Sequence, residues 1–298
     1  MSAIKTVAIA GATGNLGPAV LEAIVDAGFQ VTVLARADSK RQFPSGIKVA
    51  EVDYNNKDSV TQALKGQDAL VSTIGNQSSE QLAILAEAVV AAGIARYIPS
   101  EFGGDTTNPQ NVKLPVYGPK IAHQNDIKEK IKGTKTTYTF LMTGPFLDWG
   151  LNVGFLANLK KRKVELWDGG ETHYSATTLP KIGEAVVAIL QRPSETANKV
   201  IRVHSKVVTQ RQILDIAQHA LGPDDWQVSE PTTEELEAKS WAALKSDPGN
   251  THAWVFGFLF RAIFAKEHQP EFSQVDNDLL GIKLNTDAEL EAIVRHAA

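Results

Sequence analysis

Apolar residues along this chain fall into short runs and helical stripes that follow one another. The first run, from Ile4 to Ala10, is apolar at most positions, which is typical of a strand buried on both faces of a parallel sheet. After a glycine-rich turn, Leu16, Val20 and Ile24 recur at every fourth position. This spacing predicts an amphipathic helix directly after the strand.

The same alternation continues to about residue 150. Apolar runs predict strands over 30–35, 47–52, 69–73, 95–99 and 137–142, and periodic stretches predict helices over 57–64, around 82–89 and from about 118 to 131. The connections are long enough to join parallel strands. The pattern therefore predicts an α/β fold built on a parallel sheet.

Beyond residue 150 the alternation is less regular. The pattern predicts a helix over 150–160, which the stretch V-E-L-W at 164–167 and a turn at 168–170 follow. It then predicts an amphipathic helix over 179–190 and a strand over 200–203. The sequences T-x-x-Q at 209 and T-x-x-E at 232 are typical of helix starts. Residues 252–265 are apolar on nearly every face, which predicts a buried helix, a pocket wall or an oligomer contact.

The turn after the first strand has the spacing G-x-x-G-x-x-G, with glycines at 11, 14 and 17. A turn of this kind brings free N–H groups at a helix start beside a strand end, where a pyrophosphate can approach the backbone closely. An ordinary glycine-rich turn is the alternative. The predicted cofactor-binding residues of this turn are Gly11, Thr13, Gly14, Asn15 and Leu16.

Basic residues follow the second predicted strand, at Arg36, Lys40 and Arg41. In dinucleotide-binding sheets an acidic residue near this place favours NAD, whereas arginine favours the 2′-phosphate of NADP. A solvated basic loop is the alternative. Thr73 and Gly75 follow the fourth strand, at the edge where open α/β sheets bind ligands, and are also predicted to contact the cofactor.

Composition narrows the classes of function. The 298 residues contain no cysteine, which excludes disulfides, thiolate nucleophiles and cysteine-bound metals. The formal net charge is -4 and the longest basic run covers only 160–163, so no nucleic-acid partner is expected. No apolar run approaches the roughly 20 residues of a membrane span, and the first strand begins near residue 4. We expect a cytoplasmic protein without a membrane or metal site.

The chain resembles the NmrA-like, isoflavone-reductase-like family of atypical short-chain dehydrogenases. The matching segments are 11–17 (G-A-T-G-N-L-G), Arg36, 99–103 (P-S-E-F-G), 116–120 (V-Y-G-P-K) and 198–199 (N-K). The resemblance implies a Rossmann-type doubly wound sheet that binds NADP(H) in residues 1–150, extended by segments from about 174–205. It implies a smaller substrate domain, mainly 151–298, and reduction of a phenolic or related compound in the cleft between the two.

Lys120 corresponds to the motif lysine of that family and is the predicted general acid/base, in contact with cofactor. Hydride addition to a carbonyl or quinone methide leaves an oxyanion, which an ammonium group can stabilise or protonate. A surface lysine is the alternative. Tyr117 lies three residues before Lys120 rather than the four of the Tyr-x-x-x-Lys motif. We therefore predict that it lines the substrate pocket or packs, and does not act as the proton donor.

Four other residues complete the predicted site. His123 lies one helical turn beyond Lys120, where it can relay a proton or serve a structural role. Phe146 is predicted to cover the nicotinamide and Trp149 to line the substrate pocket, with plain core packing as the alternative for both. Phe102 is also predicted to line the substrate pocket. Two other functions remain open: an NADP-sensing regulatory protein of the same family, and an isomerase with tightly held cofactor. We expect a monomer or a homodimer.

Overall fold

The computed structural model describes residues 3–36, 39, 42–75 and 79–298. Its main sheet has the order β3-β2-β1-β4-β5-β6-β9, and all of its strand pairs are parallel. The strands are β1 Thr6–Ala10, β2 Gln30–Arg36, β3 Lys48–Val52, β4 Ala69–Ser72, β5 Arg96–Ile98, β6 Thr137–Met142 and, later in the chain, β9 Lys199–Arg202. The order reverses between β1 and β4, as in Rossmann-type sheets, so the predicted fold class is confirmed.

Helices cover both faces of this sheet, and their starts follow local capping rules. The helices before residue 200 are α1 Gly17–Asp26, α2 Lys57–Leu64, α3 Ser79–Ala91, α4 Gly118–Lys130, α5 Leu147–Asn152 and α6 Leu179–Gln191. The side chain of Asn56 accepts from the N–H groups of Asp58 and Ser59 at the start of α2. Helices α1 and α6 pack closely, because Gly183 leaves no Cβ against Ala19 and Ala23.

A second hydrophobic cluster forms beside the sheet from later parts of the chain. Two small strand pairs belong to this part, β7 Lys163–Glu165 with β11 Gln227–Ser229 and β8 Tyr174–Ala176 with β10 Lys206–Val208. The remaining helices are α7 Gln210–Leu221, α8 Thr233–Ser246, α9 Val255–Phe264, α10 Asn277–Leu280 and α11 Asp287–Ala297. None of the helices that the structure describes has both the length and the apolar composition to cross a bilayer. The two-domain division remains a prediction.

The predicted helix over 150–160 was wrong in its position and length. Helix α5 begins at Leu147 and ends at Asn152, and Gly154 then takes a φ of +77°. A residue in this left-handed conformation ends an α-helix, and the N–H groups of Phe155 and Leu156 both turn back to the carbonyl of Gly150. The chain then follows turns until β7, so the apolar residues of this stretch pack without forming a helix.

The segment between β5 and α4 is anchored by side-chain contacts to later parts of the chain. Asp105 pairs with Arg202, with 2.6 Å between Oδ2 and Nε. Farther along, Asn108 Nδ2 donates to the carbonyl of His268 at 2.6 Å, and Asn111 Oδ1 lies 2.9 Å from His268 Nδ1. The first contact holds the segment against the end of β9, and the other two hold it against the residues that follow α9.

Candidate active site

The turn after β1, called the glycine turn, contains three glycines, and the fold requires glycine at only two of these positions. Gly11 adopts a φ of +86°, and a Cβ at Gly17 would lie 2.1 Å from the carbonyl oxygen of Gly11. The fold therefore requires both of these glycines. A Cβ at Gly14, in contrast, would meet nothing closer than 3.5 Å, and Gly14 is exposed. The empty space above Gly14 is not needed by the protein's own packing.

The start of α1 is open beside that turn. Leu16 occupies the N-cap position without a side-chain hydrogen bond to the helix, and its own side chain is buried. Thr13 and Asn15 are exposed. The first N–H groups of α1 therefore lack a side-chain cap and point away from the helix, carrying the positive end of its dipole.

The ends of β2 and β4 contribute the next predicted residues. Thr73 follows β4, and its N–H and Oγ1 both donate to the carbonyl of Ala10, at 2.8 and 3.1 Å. Gly75 is exposed two residues later. Arg36 ends β2 with an exposed side chain, and its charge opposes the rise that burial causes in the pKa of Tyr54. Lys40 and Arg41 lie outside the described residues.

A cavity of about 440 Å³ opens next to these strand ends. It brings together the ends of β4 and β5, the first turns of α4 and the segment before α9. Its lining residues are Ile74, Gly75, Leu82, Ser100, Glu101, Pro115, Val116, Pro119, Lys120, His123, Thr251, His252, Trp254, Val255 and Phe256. Most of these side chains are apolar, so the cavity offers an apolar surface with a few polar groups.

Lys120 lies in the first turn of α4, which begins at Gly118 with Pro119 in its first turn, as predicted. Its Nζ atom donates to the main-chain oxygen of Glu101 at 3.0 Å, and its side chain is half-buried. This contact holds the ammonium group at the wall of the cavity. The structure thus brings Lys120 and Gly75 to one cavity, beside the glycine turn that contacts β4 through Thr73.

His123 lines the same cavity one turn farther along α4. The ring is buried, its Nε2 lies 3.4 Å from the hydroxyl of Tyr97, and burial lowers the pKa of the imidazole to about 4. The negative charge of Asp126 opposes this effect, and Lys130 adds to it. The imidazole is therefore neutral at neutral pH. Its role as a proton relay stays a prediction.

We expect His123 to make folding stability depend on pH. Its pKa of about 4 in the fold lies below the 6.5 of a free histidine, so between these values the unfolded chain binds more protons. Stability should fall as the pH drops from 6.5 toward 4, by up to about 3 kcal/mol from this group. Urea unfolding at pH 7 and pH 4.5 measures the fall, which should be smaller in His123→Gln. An equal fall in His123→Gln and in the exposed-site control His173→Gln would contradict this.

The four aromatic residues predicted for the site lie outside the lining of this cavity, as far as the described residues define it. Phe102 is buried in the main hydrophobic core, and Tyr117 is buried against Leu114 and Phe258, with burial raising the pKa of its hydroxyl. Phe146 and Trp149 are partly buried, with ring centroids 6.2 Å apart. Their predicted contacts with cofactor and substrate stay predictions, and for Tyr117 the packing alternative fits the observed position.

A series of aromatic rings connects Phe146 to the cavity wall. The ring centroids of Trp149 and Phe155 lie 6.3 Å apart, and those of Phe155 and Phe256 lie 6.2 Å apart. Such distances are typical of favourable aromatic pairs. Phe256 lines the cavity, so the rings extend from the end of β6 to the side of the cavity that Phe256 forms. The sequence had predicted only the first two of these four rings as site residues.

The cavity wall formed by Trp254, Val255 and Phe256, called the outer wall below, was not predicted residue by residue from the sequence. Trp254, Val255 and Phe256 belong to the start of α9 and the residue before it, in the apolar stretch that had three possible roles. Phe258 and Phe264 of the same helix are buried. One part of the stretch therefore packs and another lines the cavity. The all-round apolar composition was the available signal, but it does not tell the two parts apart.

The family model described as the NmrA-like family matches residues 3–227. Among curated relatives, the oxidoreductase aprR of Aspergillus flavus is 34% identical over 235 residues, which cover 77% of this chain and 78% of that protein. The oxidoreductase poxI of Penicillium oxalicum is 28% identical, covering 96% of this chain and 92% of the relative. The residues matched by the family model include the glycine turn and Lys120.

Solved structures share the fold at lower identity. AtPrR2, solved with NADP+ and (+)-pinoresinol, has a TM-score of 0.79 and 17% identity, and the alignment covers 100% of both chains. The triphenylmethane reductase of a Citrobacter species, solved with NADP(H), has a TM-score of 0.71 and 19% identity over 98% of this chain and 100% of that one. The whole described architecture, including the C-terminal part, therefore recurs in proteins of known structure.

Proposed function

This chain belongs to the NmrA-like family, and from that premise we propose that it is an NADPH-dependent reductase. It transfers hydride to a small aromatic, phenolic or quinone-like substrate, and Lys120 is the general acid/base. The relatives named as oxidoreductases, and the similar folds solved with NADP+ or NADP(H), support the reductase class and the cofactor.

The observation that carries this proposal is the unused space above Gly14. A side chain at this position would meet no atom of the protein closer than 3.5 Å, yet the position is glycine between two glycines that the fold does require. A ligand that approaches the backbone closely gives a reason for the missing side chain. The open N–H groups of α1 beside it match a pyrophosphate, which accepts hydrogen bonds and carries negative charge.

Arg36 supports NADP(H) rather than NAD(H). It ends β2, the strand next to β1, and its guanidinium is exposed at the edge of the sheet where the glycine turn lies. A guanidinium binds a phosphate group through charge-assisted hydrogen bonds. A 2′-phosphate therefore gains a partner there that the 2′-hydroxyl of NAD does not need.

The cavity beside Lys120 supports the substrate class. Its walls include Val116, Trp254 and Phe256, so a flat apolar molecule buries its surface there and still reaches the ammonium group. NADPH, when bound, supplies the hydride. The Lys120 ammonium donates a proton to the oxygen that becomes negative, and the neutral amine regains a proton from water. A regulatory sensor would have no use for such a group beside the cavity.

Oxidation of NADPH against a panel of quinones, aromatic ketones and phenolic ethers tests the proposal, with NADPH binding titrated in parallel. Turnover with any of these classes, followed by loss of the nicotinamide absorbance, is the expected result. Tight NADPH binding without turnover across the panel would contradict the reductase and favour a cofactor sensor.

Removal of the Arg36 charge should change cofactor preference. In Arg36→Ala the Kd for NADPH should rise roughly 5- to 150-fold, which corresponds to a loss of about 1–3 kcal/mol in binding free energy. The Kd for NADH should stay nearly constant. Affinity falls because the substitution removes one charged hydrogen-bond partner of the 2′-phosphate. Titration of both cofactors measures it. Lys135→Ala, an exposed lysine just before β6 at the opposite edge of the sheet, is the control. Equal affinities of the parent for both cofactors would contradict the preference.

A further inference from the structure

Gly104 is a glycine that its own backbone conformation does not require. It belongs to residues 101–104, called the support loop, which follow β5, and its φ lies outside the left-handed region. The backbone at this position therefore suits alanine. The obstacle is a neighbour in space, because the three atoms nearest to a Cβ at Gly104 would all belong to the side chain of Tyr117. Tyr117 Oη would overlap the new methyl group, and Cζ would lie only 3.2 Å from it.

Tyr117 is enclosed where it contacts Gly104. It is only 5% exposed and packs in a small buried cluster with Leu114, Phe258 and Ala262. Phe258 and Ala262 belong to α9, whereas Leu114 lies in the anchored segment just before the tyrosine. The ring therefore packs among residues of α9 and of the anchored segment, and its hydroxyl end lies against the support loop.

The same tyrosine directly precedes α4, the helix that carries Lys120. Tyr117 occupies the N-cap position of α4, and Pro119 lies in the first turn, where its ring restricts φ. Lys120 follows Tyr117 by three residues, which is about one helical turn. A displacement of Tyr117 therefore moves the first turn of α4, and the backbone of Lys120 moves with it.

The support loop also holds the ammonium group of Lys120. Lys120 Nζ donates to the main-chain oxygen of Glu101 at 3.0 Å, and a Cβ at Gly103 would lie 3.8 Å from the same Nζ. The N–H groups of Thr143 and Gly144 both donate to the main-chain oxygen of Gly103, at 3.0 and 2.9 Å. These bonds tie the loop to the end of β6. The loop is thus a fixed support that contacts both the start of α4 and its lysine.

We propose that Tyr117 is a positioning residue: its contact with Gly104 sets the distance between the start of α4 and the support loop, and thereby the place of Lys120 Nζ at the cavity. This inference rests on the proposed function, in which Lys120 donates a proton. A proton donor must lie within hydrogen-bond reach of the atom that it protonates. A misplacement of about 1 Å costs on the order of 100-fold in rate. Glycine at position 104 lets the ring and the loop approach closely enough.

Gly104→Ala tests this contact, and Gly103→Ala is its matched control. In Gly104→Ala the kcat should fall at least about 30-fold, because α4 and its lysine are displaced. The Kd for NADPH should stay within about threefold, because the contacts proposed at the glycine turn are unchanged. A Cβ at Gly103 would meet nothing closer than 3.5 Å, so its methyl group fits beside the lysine. In Gly103→Ala the kcat should fall by less than about threefold. Equal losses in the two variants would overturn the proposal.

A second substitution separates this contact from a general loss of structure. Tyr117→Phe removes the atom that would overlap the methyl group and keeps the ring. In a Tyr117→Phe background, alanine at Gly104 should therefore lower kcat by less than about threefold, against at least about 30-fold in the parent. A loss of the same size in both backgrounds would overturn the proposal. If Gly104→Ala alone does not fold, recovery of folded protein in the double variant shows the same coupling, and failure of both overturns it.

Crystal structures of Gly104→Ala and of the double variant separate this inference from the proposed function. In Gly104→Ala the start of α4 should move by about 1 Å, since carbon atoms that are not bonded keep about 3.5 Å between them. Lys120 Nζ should then lose the main-chain oxygen of Glu101, and the double variant should restore the contact. An unmoved α4 with this contact intact would overturn the proposal. A parent without NADPH turnover would contradict the reductase instead, whereas the structures alone decide whether Tyr117 positions Lys120.

Discussion

Replacement of Lys120 by methionine should lower kcat by about 100- to 10,000-fold, the usual contribution of a positioned acid or base. Methionine keeps most of the apolar stem but has no proton to donate. The Kd for NADPH should stay within about twofold, because the cofactor contacts proposed at the glycine turn and at Arg36 are unchanged. Steady-state turnover with a substrate from the panel and a separate NADPH titration measure the two effects.

The control for this change is Lys113→Met. Lys113 is an exposed lysine of the anchored segment that precedes α4. Among the contacts found in the described part of the chain, its side chain hydrogen-bonds only Gln110. Its replacement should leave kcat unchanged. A Lys120→Met variant with the parent's kcat would remove Lys120 from the mechanism, and a variant with weakened NADPH binding alone would assign it to the cofactor.

Alanine at Gly17 should lower the stability of the fold, whereas alanine at Gly14 should leave stability nearly unchanged. At Gly17 the new Cβ would lie 2.1 Å from the carbonyl oxygen of Gly11 and 2.5 Å from the backbone of Ala12, so the turn or α1 must move. We expect a loss of at least about 3 kcal/mol in the free energy of unfolding, measured with urea. At Gly14 the Cβ fits, and stability should stay within about 1 kcal/mol of the parent.

The affinity for NADPH should fall in the Gly14 variant, although that variant remains stable. Gly14→Ala should fold normally yet bind NADPH at least about tenfold more weakly, because its methyl group occupies the space that the pyrophosphate needs. Isothermal titration of the folded variant measures this. Normal NADPH binding by Gly14→Ala would contradict the position of the pyrophosphate in the proposed function. A stable Gly17→Ala would show that the turn can adjust.

The sequence was sufficient for the sheet because its signals are local. The apolar run before Gly11 and the four-residue stripe after it identify a strand, a turn and a helix without knowledge of the rest of the chain. The resemblance to the NmrA-like family was confirmed over residues 3–227, and the predicted oxidoreductase class agrees with the names of the relatives. The sequence prediction misplaced helix α5 because the end of the helix depends on the backbone conformation of Gly154, which residue type alone does not determine.

The cavity was less predictable because its two walls are far apart in the sequence. Lys120 was identified from the family resemblance and His123 from its spacing from Lys120, but Trp254 and Phe256 lie more than 130 residues away. Only the packing of α9 against the anchored segment brings them together. Glu101 was overlooked for a related reason, since its burial and its contact with α4 are tertiary properties. Tyr117 illustrates the opposite case, because a residue near the motif lysine in sequence faces the core instead.

The position of the outer wall has a consequence for how new activities arise in this protein. The glycine turn, Arg36 and Lys120 all lie within the residues that match the family model, whereas Thr251 to Phe256 lie beyond its end at residue 227. The residues proposed to bind the cofactor and to donate the proton therefore lie in the matched part of the chain, whereas one wall of the cavity lies beyond it. Under the proposed function, exchange of the C-terminal segment between relatives would change this wall of the cavity, and with it the choice of substrate, while the glycine turn, Arg36 and Lys120 stay the same.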